Sequence, residues 1–106
     1  MIITITKENV KKEIQESKKP IIIDVFATWC GPCKLMKPIF EQLAEEYKEH
    51  YVFAELNVDE SRELAIAYGV TSVPTFVFIK NNQVIGKVTG YMSKDELLSK
   101  ITQTLG

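Results

Sequence analysis

The chain has 106 residues, of which 45% are apolar and 25% are charged, as is typical of a single globular domain, which we expect to span residues 1–106. Its 13 basic and 14 acidic residues nearly balance, which argues against a nucleic-acid partner. No apolar run reaches the roughly 18 residues of a membrane helix, and the N-terminus lacks the pattern of a secretory signal. We therefore expect no membrane association and a cytoplasmic location.

The first half of the chain alternates between strand and helix signals. Residues 2–5 are mostly β-branched and predict a short strand, and Thr6 is positioned to cap a helix that ends before Pro20. The run "IIIDVFA" at residues 21–27 is almost continuously apolar, as in a strand covered on both faces. Residues 32–50 then have apolar residues at helical spacing.

The second half of the chain begins with another strand and helix and ends with a predicted hairpin and a final helix. Residues 51–58 predict a third strand, and Asp59 is positioned to cap a short helix that ends at Tyr68. Two apolar runs flank the dipeptide Asn81-Asn82, which predicts a hairpin because asparagine tolerates positive φ. The residues "SKDE" at 93–96 form a capping box for a final helix.

The predicted order of elements is βαβαβα followed by ββα. Strands that alternate with helices require right-handed crossovers and therefore a parallel sheet. The final hairpin adds an antiparallel edge, so we predict an α/β fold with a mixed sheet and helices on both faces.

The only two cysteines, Cys30 and Cys33, lie in the stretch "WCGPCK". This spacing serves a metal half-site, a structural cross-link or a redox pair. A closed zinc site needs four ligands, and His50 is the only histidine available. A disulfide that closes so short a loop contributes only about 2 kcal/mol in the loop-entropy model. The redox interpretation is therefore favoured over the other two.

The position of the pair at a strand-to-helix junction suits redox chemistry. Cys30 precedes the first helical turn, where free N–H groups and the helix dipole favour a thiolate. Cys33 lies one turn inside, so we expect an accessible attacking sulfur and a sheltered second sulfur. Asp24 is a lone carboxylate in the preceding apolar strand, and burial should raise its pKa.

Four stretches, "IIIDVFAT", "WCGPCK", "YGVTSVPTF" and "KVTGYMSKDEL", together resemble the thioredoxin family along essentially the whole chain. The resemblance implies a three-layer fold whose central mixed five-stranded sheet has the order 1-3-2-4-5, with two helices on each face. It also implies a protein-disulfide reductase that works through a mixed disulfide. In that reaction Cys30 is the nucleophile, Cys33 resolves the mixed disulfide, and Asp24 accepts and donates the Cys33 proton.

The resemblance also assigns a docking surface and a control of redox potential. Proline offers neither a cation nor an N–H group to a thiolate, so the dipeptide between the cysteines should make the pair more reducing. We assign this role to Gly31 and Pro32. The docking surface would contain Trp29, Val73, a cis Pro74, Gly90 and Tyr91.

The expected partners follow from the same resemblance. Disulfide-containing proteins would be the targets, and thioredoxin reductase would recharge the Cys30–Cys33 disulfide with electrons from NADPH. We expect no bound cofactor, no metal and a monomer. The alternatives are an oxidase or isomerase of exported proteins and a binding module without redox activity.

Three positions depart from common family members. Glu55 stands where bacterial members often have a lysine, Phe26 where a second tryptophan is common, and Asn82 where a turn glycine is frequent. Because the implied strand order places Glu55 beside Asp24, two carboxyl groups should raise each other's pKa there.

Overall fold

A computed structural model describes residues 1–106 and contains one five-stranded sheet. The strand order is β1-β3-β2-β4-β5, which confirms the predicted order. The β3 strand pairs in parallel with β1 and β2, whereas β4 runs antiparallel to β2 and β5. The strands are β1 (Ile3–Thr4), β2 (Ile21–Phe26), β3 (Val52–Asn57), β4 (Thr75–Lys80) and β5 (Gln83–Thr89).

Four helical segments cover the sheet, two on each face, as the resemblance implied. On one face lie α1 (Gly31–Glu46) and α3 (Lys94–Leu105), and on the other lie a π-helix (Lys11–Gln15) and α2 (Arg62–Ala67). The second pair is much shorter than the first. No helix is long and apolar enough to cross a membrane.

Alternate residues of β2 face opposite layers, which explains its continuous apolar run. Ile22 packs with α1 and α3, whereas Ile21, Ile23 and Val25 pack with the π-helix and α2. All four side chains are at most 1% exposed, and burial of each contributes about 1.5–3 kcal/mol. Asp24 therefore faces the α1 side of the sheet, because side chains alternate along a strand.

The layer under α1 and α3 is built around aromatic rings. Phe40 of α1 lies 5.4 Å from the Phe53 ring, edge to face, and 5.8 Å from the Phe76 ring. Leu97 and Ile101 of α3 complete this cluster and are fully buried. This dense packing holds α1, and with it the cysteine pair, against the carboxyl end of β2.

Two local predictions at helix starts are wrong. Thr6 does not cap a helix: its N–H donates to the Asn9 side chain at 2.9 Å, and the first helical segment begins only at Lys11. Asp59 does not cap α2, because Ser61 occupies that position and makes no side-chain capping bond. The Asp59 carboxylate instead accepts a hydrogen bond from a distant side chain at the functional site.

The predictions for the last third of the chain are confirmed. Asn81 and Asn82 adopt φ values of 53° and 61°, the left-handed conformation that a two-residue hairpin requires. The Ser93 hydroxyl accepts from the Glu96 N–H at 3.1 Å, and the Glu96 carboxylate accepts from the Ser93 N–H at 3.0 Å. Both halves of the capping box are therefore present at the start of α3.

Candidate active site

The two cysteines form a disulfide at the junction between β2 and α1. Cys30 is the residue before the first helical position, and its Sγ accepts a hydrogen bond from the Cys33 N–H at 3.2 Å. Pro32 occupies the first turn, where a missing N–H costs nothing. The free N–H groups of α1 therefore point at the Cys30 sulfur and favour its thiolate.

The expected difference in exposure between the two sulfurs is absent in this oxidised form. Cys30 and Cys33 are each only 5% exposed. Both pack in a small cluster with Ala27, and Phe26 and Val73 lie against that cluster. What distinguishes the two cysteines is the surroundings of each side chain.

A polar cavity of about 230 Å³ lies on the Cys33 side of the disulfide. Asp24 faces it from β2, is 5% exposed, and has one carboxylate oxygen without a hydrogen-bond partner. Burial is the main cause that raises the Asp24 pKa to about 7, and the negative charge of Glu55 adds to it. The cavity lining comprises Asp24, Phe26, Ala27, Thr28, Cys33, Lys34, Lys37 and Glu55.

The register of the sheet explains why two carboxyl groups meet there. Asp24 and Glu55 are direct partners in the parallel pair β2–β3, so their side chains lie on the same face. The predicted proximity of Glu55 to Asp24 is thus confirmed. With a lysine at position 55 the cavity would hold an opposite charge beside Asp24, whereas here it holds a second acid.

An apolar groove of about 490 Å³ lies near the disulfide on the opposite side. Trp29 forms part of it and is 69% exposed. Its indole N–H donates to the Asp59 carboxylate at 3.0 Å, which holds the ring in place. The groove is lined by Trp29, Val58, Arg62, Ala65, Ile66, Val70, Thr71, Ser72 and Val73.

The loop before β4 holds Val73 against the cysteine cluster, and the segment after β5 bonds to the same loop. The Val73–Pro74 peptide is cis, as the resemblance implied, and Pro74 is buried. The Pro74 carbonyl accepts a hydrogen bond from the Gly90 N–H at 2.9 Å. Gly90 has a φ of 103°, which favours glycine, and Tyr91 is 57% exposed.

Sequence reasoning missed several residues of the groove. Ile66 is 64% exposed although it is apolar and helical, and Arg62 and Val70 also line the groove. The weak available signal was the apolar face of α2, which reads equally well as core. Asp59 was identified as a helix cap, although its actual partner, Trp29, is 30 residues away.

No group of three or more His, Cys, Asp or Glu residues is placed to hold a metal ion.

A cysteine pair that forms a disulfide at the start of a helix is the arrangement of a dithiol–disulfide oxidoreductase. The sequence model of the family described as Thioredoxin matches residues 1–103. The chain belongs to the thioredoxin family and is a protein-disulfide reductase that works through Cys30 and Cys33.

Relatives from distant organisms are similar over nearly the whole chain. The thioredoxin of Chlorobaculum thiosulfatiphilum is 39% identical over 101 residues, which cover 95% of this chain and 94% of that protein. The thioredoxin of Alicyclobacillus acidocaldarius is 35% identical over 102 residues, or 96% of each chain. Thioredoxin H4 of Arabidopsis thaliana is 41% identical over 92 residues, which cover 87% of this chain and 76% of that protein.

Proposed function

We propose that residues 1–106 act as a single-domain, monomeric electron donor in the cytoplasm, with Cys30 as the nucleophile and Cys33 as the resolving thiol. The observation that carries this assignment is the contrast between the two cysteines. The Cys30 sulfur accepts an N–H bond at the start of α1, whereas Cys33 shares a cavity with the buried acid Asp24. The first environment favours a thiolate, and the second supplies a base.

The first step begins when a target disulfide reaches the reduced pair. The Cys30 thiolate attacks one target sulfur, the target S–S bond breaks, and the other target sulfur leaves as a thiolate. The N–H groups at the helix start favour the ionised form of Cys30. The product is a mixed disulfide between Cys30 and the target.

The second step releases the target and regenerates the internal disulfide. Cys33 gives its proton to the Asp24 carboxylate, and the resulting thiolate attacks the Cys30 sulfur. The bond between Cys30 and the target then breaks, so that two electrons have passed to the target. An acid whose pKa is about 7 is well matched to this transfer, since it is partly ionised at neutral pH.

Target docking is assigned to the groove and to the loop before β4. The Val73 backbone makes no hydrogen bond within the chain, so it can pair with an extended target segment as an added strand. Nothing lies within 4 Å of the position that a Gly90 side chain would occupy, which leaves room for a target backbone. Trp29 and Tyr91 supply exposed aromatic area at the two sides of the site.

Pro32 and Gly31 support electron donation over disulfide insertion. Neither residue adds a charge or a side-chain donor near Cys30, so the dipeptide gives the thiolate no stabilisation beyond that of the helix start. Less stabilisation of the thiolate makes the reduced pair less stable and therefore more reducing. We assign recharging of the disulfide to thioredoxin reductase with NADPH, which fits a donor in a reducing compartment.

Turnover with a reductase tests this proposal. Purified protein, a thioredoxin reductase, NADPH and insulin as the disulfide substrate should give continuous NADPH oxidation. The Cys30→Ser variant should give none above the level without protein. Absence of turnover by the wild type with reductases from several sources would contradict the proposal.

A further inference from the structure

A row of three polar side chains crosses adjacent strands on the α1 side of the sheet. Thr4 of β1 pairs with Glu55 of β3, and Glu55 pairs with Asp24 of β2. The Thr4 hydroxyl donates to one Glu55 carboxylate oxygen at 3.2 Å. This bond steadies the glutamate and leaves its second oxygen without a hydrogen bond to the chain.

Asp24 needs a route to solvent if it exchanges a proton in every cycle, and this inference rests on that proposed role. Its side chain is almost fully buried, and its unpartnered oxygen has no donor or acceptor in the chain. No hydrogen bond joins it to Glu55 directly. A proton taken from Cys33 can therefore leave Asp24 only through the cavity that this side chain lines.

The cavity supplies the path. It is lined by Cys33, Asp24 and Glu55 together, and its volume of about 230 Å³ is enough for several water molecules at roughly 30 Å³ each. Glu55 is half-buried, so one end of its carboxyl group reaches the cavity and the residue also meets solvent. We propose that Glu55 is the outer carrier of a proton relay that connects Asp24 with solvent.

Glu55 is the only carboxyl group other than Asp24 in the cavity lining. Lys34 and Lys37 of α1 face the same cavity, but an ammonium group near neutral pH has no lone pair to accept a proton. The neighbour of Asp24 on β4 is Phe76, which does not titrate. The remaining lining residues are Phe26, Ala27 and Thr28.

In the release step each proton and each electron pair has a defined destination. The Cys33 proton moves to Asp24, through cavity water to Glu55, and from Glu55 to solvent. The Cys33 thiolate forms the bond to Cys30, and the target leaves as a thiolate that takes a proton from solvent. When a partner reductase supplies two electrons to the disulfide, the same relay runs inward and returns a proton to Cys33.

The test isolates the release step. A symmetric peptide disulfide with a fluorophore on each half forms the mixed disulfide with Cys30, and the fall in fluorescence anisotropy reports its release by Cys33. Glu55→Gln removes the titrating group but keeps its size and the acceptor for Thr4. We expect release by this variant to be about five- to tenfold slower at pH 7, a part of the usual contribution of acid–base catalysis.

Rescue by a small base separates a relay from a structural effect. Imidazole titrates near neutral pH and should restore release by Glu55→Gln in proportion to its concentration, with little effect on the wild type. Glu49→Gln is the matched control, since Glu49 is exposed and lies before β3 begins, and it should behave as the wild type. Wild-type release by Glu55→Gln, or slow release that imidazole does not change, would overturn the relay.

Asp24→Asn distinguishes the proposed role of Asp24 from the relay through Glu55. If this variant releases the peptide as fast as the wild type, the role of Asp24 fails and the relay with it. If Asp24→Asn is slow while Glu55→Gln is normal, only the relay fails. Unfolding temperatures of all variants show whether each protein is folded under the assay conditions.

Discussion

The two sides of the disulfide differ in nearly every physical property except exposure. The Cys33 side is a small cavity with two acids and two lysines, whereas the groove near Cys30 is larger, open and mostly apolar. Both cysteines are equally buried. From this difference we infer that neighbours, rather than exposure, set the proposed role of each sulfur: proton transfer on one side and target binding on the other.

The two sides also have different structural origins. Asp24 and Glu55 project from the centre of paired strands, which hold them in a set register. The groove is assembled from residues before α1, residues around α2 and the loop before β4. In the proposed mechanism, proton transfer, which needs accurate positions, is assigned to the sheet, and target binding, which tolerates the adaptability of loops, is assigned to the groove.

The largest effect that can test this comparison comes from the cysteines themselves. Cys33→Ser should accumulate mixed disulfides with targets, because Cys30 still attacks and nothing releases the product. Cys30→Ser should capture none and lose all reductase activity. Non-reducing gels after incubation with a protein disulfide measure both outcomes. Capture by Cys30→Ser would reverse the assignment of the two sides.

Removal of the buried acid should change stability as well as rate. Asp24 has a folded pKa of about 7 against about 3.9 in an unfolded chain, so it costs stability once pH rises above 3.9 and reaches its full cost above 7. Asp24→Asn should therefore stabilise the fold at pH 8 by up to about 4 kcal/mol and slow the Cys33 step at least about tenfold.

Denaturant unfolding at several pH values measures the stability effect of Asp24→Asn. The internal control is pH 4, where the acid is neutral in the folded state and the difference between the variant and the wild type should nearly vanish. A stability difference that stays the same from pH 4 to pH 8 would mean that packing, rather than the buried charge, distinguishes the two proteins.

A smaller effect is expected from the dipeptide between the cysteines. Pro32→His places a potential cation beside Cys30, which should lower the Cys30 pKa and stabilise the reduced form. The reduction potential should become less negative by about 30 mV for each 1.4 kcal/mol of that stabilisation. Equilibration with a glutathione buffer measures it, and an unchanged or more negative potential would remove Pro32 from the control of redox poise.

The smallest effect should come from the groove alone. Ile66→Thr replaces the ethyl branch of an exposed groove residue with a hydroxyl group. If about 0.8 kcal/mol of apolar contact with the target is lost, KM for a protein disulfide should rise about fourfold. The value of kcat and its pH profile should not change. Val84→Thr, at a 42% exposed apolar position on β5, is the matched control. Equal KM values for the two variants would show that targets do not use the groove.

Much of the fold could be predicted from the sequence because its signals are local. The continuous run at β2, the two asparagines of the hairpin and the capping box at Ser93 each act through neighbours within a few residues. The placement of Cys30 before the first helical turn was also evident, since a strand signal ends and a helical pattern begins around it. These features determined the architecture and the chemistry of the cysteine pair.

The tertiary structure decided what depends on residues distant in the chain. Only the strand register showed that Thr4 joins Glu55 and Asp24 in one row, and only the packed site showed that Asp59 holds Trp29. The physical reason is common to these cases: a polar side chain takes the partner that the folded chain brings within hydrogen-bond distance, and local sequence does not specify that partner.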